Sequence, residues 1–119
     1  MKFRFPATVY RSGQEPDARF SLANERTFLA WIRTSLALIA AGVALEALVI
    51  DMHPGLRFAA ATVFIGLGLV AAVHSWLTWA RTETSLRRGQ ALPGAAVSGV
   101  IAAGVVVAIA LTATGLLVR

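Results

Sequence analysis

The stretch from residue 95 to 118, AAVSGVIAAGVVVAIALTATGLLV, holds no charged side chain. Coiled as a helix at about 1.5 Å per residue it would be about 36 Å long, more than the roughly 30 Å of a bilayer's hydrocarbon core. Ser98, Thr112 and Thr114 are its hydroxyl side chains, too few to make a polar face for a soluble bundle. Two further apolar blocks precede it, over about 27–50 and 57–80. The second has no charge between Arg57 and Arg81. DMHPG (51–55) and RTETSLRRGQALPG (81–94) separate the blocks as polar, proline- and glycine-punctuated linkers. The expected fold is an all-α membrane protein: residues 21–119 form one domain of three transmembrane helices in a bundle, with residues 1–20 a polar, flexible or peripherally bound arm.

Composition agrees. Of 119 residues 57% are hydrophobic and 14% charged, where a soluble domain carries about a quarter charged residues. The net charge of +5 does not point to nucleic acid, because the basic residues flank the apolar blocks, where they act as topology signals and headgroup contacts. Lys2, Arg4, Arg11, Arg19, Arg26, Arg81, Arg87 and Arg88 fall on one side, and Arg57 and Arg119 on the other. The excess of positive charge places the amino terminus in the cytoplasm and the carboxyl terminus outside. Trp31, Trp76 and Trp79 then lie near the cytoplasmic interface, independently of that count. The first twenty residues contain no apolar run of signal-peptide length, so the mature chain is expected to begin at or near Met1. No cysteine is present, so disulfides, thiolate sites and iron–sulfur clusters are excluded.

The first block is unlike the others. Ser21 or Asn24 would cap its helix, with Glu25 in the first turn facing the positive end of the dipole. Arg26 and Arg33, seven residues apart, return to nearly one face and share it with Ala30, Ala37, Ala40 and Ala44. That stripe would face other helices or an aqueous path; alternatively, Arg33 simply snorkels toward the nearer interface. Glu46, near the outer end, leans toward the membrane centre and must be protonated, paired or wet. Arg33 is roughly 20 Å from it along the axis, so Arg57 or Arg119 is the expected partner. His74 sits at the depth of Arg33 on the antiparallel second helix, where the two could meet or line one vestibule. A lone histidine in a span is more often an interhelical hydrogen bonder, and no metal-ligand spacing surrounds it. Small residues, Gly66 and Gly68 with Ala72, and Gly99, Ala103, Gly104 and Ala108, provide packing faces. No catalytic motif and no cofactor site is recognisable, and an enzyme is not expected.

The run SLANERTFLAWIRTSLALIAAGVAL (21–45), preceded by Asp17 and Phe20, resembles the YidH-type family of small bacterial inner-membrane proteins, a domain of unknown function. The same domain is similar to the three-helix membrane part of the eukaryotic vacuolar transporter chaperone complex. The resemblance implies a multi-pass protein of the bacterial inner membrane and a homo-oligomer. It further implies a path for phosphate or polyphosphate lined by Arg26 and Arg33, with Asn24 and Glu25 at its mouth. Two expectations compete: an anion channel or conduit, and a non-conducting accessory or scaffold subunit of a membrane complex. A ring of ionised Glu46 carboxylates in the same lumen would oppose the first.

Overall fold

The computed structural model describes residues 4–91 and 96–118. Three long helices follow a single-turn one: α1 (Ala7–Tyr10), α2 (Ala18–Ala47), α3 (Pro54–Arg88) and α4 (Ala96–Leu117). All three long helices are long and apolar enough to cross a membrane. The fold is an all-helical bundle of three candidate spans, with lipid as its surroundings. Lys2, Pro93, Gly94, Ala95 and Arg119, used above for topology and boundaries, lie outside the described residues.

Helix starts and stops follow local chemistry. Asp17, not Ser21 or Asn24, caps α2: its side chain accepts the Arg19 N–H at 2.9 Å. The helix therefore starts earlier than the apolar block, and Glu25 lies beyond the first turn, on an exposed face. In the turn after α2, His53 caps α3 by accepting the Leu56 N–H at 3.3 Å, and Pro54 occupies the first turn where its missing N–H costs nothing. The segment 81–88, expected as a linker, continues α3. The helix ends only at Gly89, whose φ of 66° closes a left-handed cap in which the Gln90 N–H donates to the Ser85 carbonyl at 2.9 Å. Thirty-five residues give α3 a length of about 52 Å, so it outreaches the hydrocarbon core.

The long α3 is the centre of the bundle, with α2 and α4 packed on it; α2 and α4 do not approach each other closely along their backbones. On α2 the inward positions are Asn24, Phe28, Trp31, Ser35, Leu38, Gly42 and Leu45. Their alternating spacing of four and three is the heptad period of helices that cross at a shallow angle. Close approach depends on small residues, because lipid supplies no hydrophobic drive between helices. The Ser35 hydroxyl donates to the Gly68 carbonyl at 2.7 Å, and a Cβ on Gly42 would stand 2.8 Å from the Ala61 carbonyl oxygen. On the other side of α3, Gly104 accommodates Leu67, and Ala108 is fully buried. Gly66, Gly99 and Ala103, expected in the same packing faces, are exposed, since they sit on the outer sides of their helices. Met52, in the polar turn, is a buried plug against Gly115 and Leu56, and the His53 N–H donates to the Gly115 carbonyl at 2.9 Å.

Candidate functional site

Polar groups within such a bundle are costly unless satisfied, so those that persist mark where the chain invests specificity. They collect at the amino-terminal end of α2, opposite the projecting end of α3. Trp79, Glu83 and Arg87 follow one another at four-residue spacing on α3, a row that continues the seam from Gly68 through Ser75. Asn24 faces them from α2 and is 7% exposed. Its amide donates to the Trp79 carbonyl at 3.1 Å and to Glu83 Oε2 at 3.4 Å, while the Ser21 hydroxyl donates to Glu83 Oε1 at 2.9 Å. Glu83 thus holds two interhelical donors and lies 3.9 Å from the Arg87 Nε, with both side chains nearly sealed.

The arm completes the cluster. Arg87 donates to the Tyr10 carbonyl at 3.2 Å and to Glu15 Oε2 at 3.1 Å. Arg4 grips both oxygens of the same carboxylate, at 3.0 and 2.7 Å. The two guanidiniums lie 4.4 and 4.7 Å from the centre of the Tyr10 ring. Gly13, with a φ of 53°, lets the arm run directly against the Arg87 carbonyl, which accepts the Gln14 N–H at 2.9 Å; a Cβ on Gly13 would collide with that oxygen. The Arg4 hydrogen bond foremost, and then the charge of Arg87, hold the Glu15 carboxyl at about 2, against the opposing effect of desolvation. Glu15 in turn raises Arg4 above the ordinary arginine value. Around this clamp lie the aromatic rings: Trp76 stacks on Trp79 at 5.2 Å, and Phe28, Phe5 and Tyr10 pack against them.

The residues singled out by sequence divide among three places. Asn24 belongs to the buried cluster. Arg26 and Arg33 lie on the opposite face of α2, exposed together with Ala30, Ala37 and Ala40, and with no hydrogen bond or ion pair among the described residues. Glu46, at the far end of α2, faces the α3 side and pairs with Arg57, whose Nε is 3.8 Å from Oε1. His74 does not meet Arg33. Its ring meets the edge of Trp31 at 5.0 Å and contacts the Thr78 hydroxyl at 3.1 Å. Arg33 is two residues from Trp31, about 200° around the helix, and so points away. Glu83 and Arg87 were missed because 81–94 reads as a basic linker, although the four-residue row from Ser75 through Trp79 to Arg87, stopped by Gly89, was an available signal. Tyr10 and Glu15 were missed because the arm shows no periodicity and their partner is more than seventy residues away.

A family model described as a domain of unknown function, DUF202, matches residues 19–85, which spans α2 and nearly all of α3. This chain belongs to the DUF202 family. Its YidH character is equally direct: the chain is 45% identical over 86 residues to the inner membrane protein YidH of Escherichia coli K12, covering 71% of this chain and 75% of that protein. An uncharacterised protein of Mycobacterium tuberculosis H37Rv is 43% identical over 109 residues, covering 82% of this chain and 89% of its own length. With three candidate spans, this DUF202 protein is a small multi-pass protein of the inner membrane. The matched segment contains Ser21, Asn24, Trp79 and Glu83 of the buried cluster and both outward arginines, while Arg87 and the arm lie outside it.

Proposed function

We propose that this protein is the subunit of a homo-oligomeric conduit for an inorganic anion such as phosphate or polyphosphate, with the amino-terminal end of α2 at its cytoplasmic mouth. The observation that carries the reading is the exposure of Arg26 and Arg33 on the side of α2 turned away from α3, without a counter-ion among the described residues. An arginine facing acyl chains costs a few kcal/mol even after snorkelling. Copies related by rotation about this face would remove the guanidiniums from lipid and make rings of donors that replace an anion's hydration. Ala37 and Ala40 on the same stripe permit close approach between copies. The objection from Glu46 weakens, since it lies about 200° around the helix from Arg26 and is neighboured by Arg57. Glu25, exposed beside Arg26, flanks the mouth; Asn24, expected there too, instead faces α3 on the other side of α2 and takes no part in the path.

Phosphate and polyphosphate flux into proteoliposomes tests this directly. Arg33→Ala should reduce flux about tenfold, equivalent to about 1.4 kcal/mol on the barrier. Flux no greater than in empty vesicles, under voltage of either sign, rejects conduction. A second reading, a non-conducting accessory subunit, draws on the exposed row of Leu22, Leu29, Leu36 and Val43 beside the arginines, an apolar seam suited to a partner's helix. That reading accounts for a wild-type protein that assembles in the membrane without flux.

A further inference from the structure

Beside the buried cluster, between α2 and α3 and reaching Ser98 of α4, lies a cavity of about 400 Å³. A second, of about 360 Å³, shares Thr27, Trp31 and Ser98 with it and continues between α2 and α4 along Ala30, Ile101 and Ala102. Together they form one slot. On α2 it extends from Phe20 to Thr34, about 21 Å along the axis, which is the depth of one leaflet with its headgroup region. The slot exists because α2 and α4 both lean on α3 without approaching each other, so it opens sideways into the bilayer.

The lining restricts what fills it. No Lys, Arg, Asp or Glu lines either cavity, so neither presents a charged partner to a phosphate or other ionic headgroup. Trp31, Phe28, Ile101, Ala30 and Ala102 offer apolar surface to a flexible chain. Thr82 and Ser98 line the cavity nearer the α2 amino-terminal end, and their hydroxyls have no hydrogen-bond partner among the described residues. At the edge of the hydrocarbon core, where these two residues lie, an unpaired hydroxyl favours an acceptor, and the ester carbonyl is the one that a lipid supplies at that depth. An empty slot would forfeit the dispersion contacts of its walls. We propose that the slot is a resident lipid site: one acyl chain of a membrane phospholipid lies between α2 and α4, its ester carbonyl hydrogen-bonded by Thr82 and Ser98, its headgroup outside. The site needs only the membrane-spanning bundle and is independent of anion conduction.

The test uses a Trp76→Phe variant of the full chain, whose two remaining tryptophans, Trp31 and Trp79, both line the slot. Delipidated protein in detergent is titrated with phosphatidylcholine or phosphatidylglycerol brominated at mid-chain, and tryptophan quenching is recorded. The expected result is saturable quenching at one lipid per chain, with equal affinity for the two headgroups. Ala102→Phe, which fills the slot, should abolish the saturable component, whereas Ala103→Phe, which lines neither cavity, should leave it intact. Replacing Thr82 and Ser98 together by valine should weaken binding about fivefold through the lost hydrogen bonds. Quenching that rises without saturation, persists in Ala102→Phe, or strongly prefers the anionic lipid overturns the proposal. Should Ala102→Phe fail to fold, the valine pair decides alone: unchanged affinity rejects the site.

Discussion

Arg87 shows what a single residue accomplishes here. Its guanidinium joins helix to arm: it reaches the Tyr10 carbonyl and Glu15, while its Nε faces Glu83 without a hydrogen bond of its own. A buried ion pair of this kind is weak evidence for stability, since desolvation offsets most of the attraction, but it fixes which groups can meet. Glu15 is the exposed member of the clamp, and its titration yields a direct prediction. Its carboxyl is held at about 2 in the folded chain, below the usual value of 4.5. A depressed carboxylate contributes stability that is complete above the unfolded value and is lost as pH falls through the folded one. Arm attachment should therefore be constant at neutral pH and decline between pH 4.5 and about 2. Hydrogen exchange of the Gln14 amide, which donates to the Arg87 carbonyl, reports it. Glu15→Gln should bring the same loss of protection, relative to the intrinsic exchange rate, at pH 7; protection equal to the wild type would show that the charge does not hold the arm.

At the level of the helix, glycines of similar appearance in the sequence have opposite roles. A Cβ on Gly68 would meet the Ile39 side chain and stand 2.9 Å from the Ser35 backbone oxygen, which cannot move without parting the helices. Nothing lies within 4 Å of a Cβ built on Gly66. Gly68→Ala should therefore lower stability by about 1–3 kcal/mol, as overpacking does. Gly66→Ala should raise it by roughly 0.5–1 kcal/mol through helix propensity alone. Unfolding in mixed micelles with increasing denaturing detergent measures both, and shifts of the same sign would contradict the seam between α2 and α3. The helix also explains why 81–88 was read as a linker. Polar residues usually end a span, yet Glu83 and Arg87 extend α3 because Ser21, Asn24 and the arm supply partners from elsewhere in the chain. No local rule contains that information.

The whole molecule is elongated, 60 × 25 × 20 Å, with α3 as its spine. Its described surface is mostly apolar, and Arg26 and Arg33 stand in that surface with small residues around them. The proposed assembly through this face has a clean test because the chain lacks cysteine. Ala37→Cys, on the arginine stripe, should form disulfide-linked dimers in membranes several-fold more readily than Leu36→Cys, which lies about 100° around the helix on the apolar row. Equal cross-linking at the two positions would remove the stripe as the contact between copies.

Hydropathy and length were sufficient to define three long apolar helices, and the residues of the first one, from Ser21 to Leu45, were sufficient for the family. Both are determined locally: crossing a hydrocarbon layer demands about twenty apolar residues in succession, whatever the neighbours do. The Arg26–Arg33 face was legible for the same reason, since it depends only on helical periodicity. Which face turns inward was decided by tertiary structure. Asn24, Ser35, Gly42 and Leu45 define the seam because α3 presents Glu83, Gly68, Ala61 and Ala60 at matching heights. The seating of the arm on Arg87 likewise joins residues more than seventy positions apart. Such contacts depend on how two helices register against each other, and register is a property of the packed pair rather than of either sequence alone.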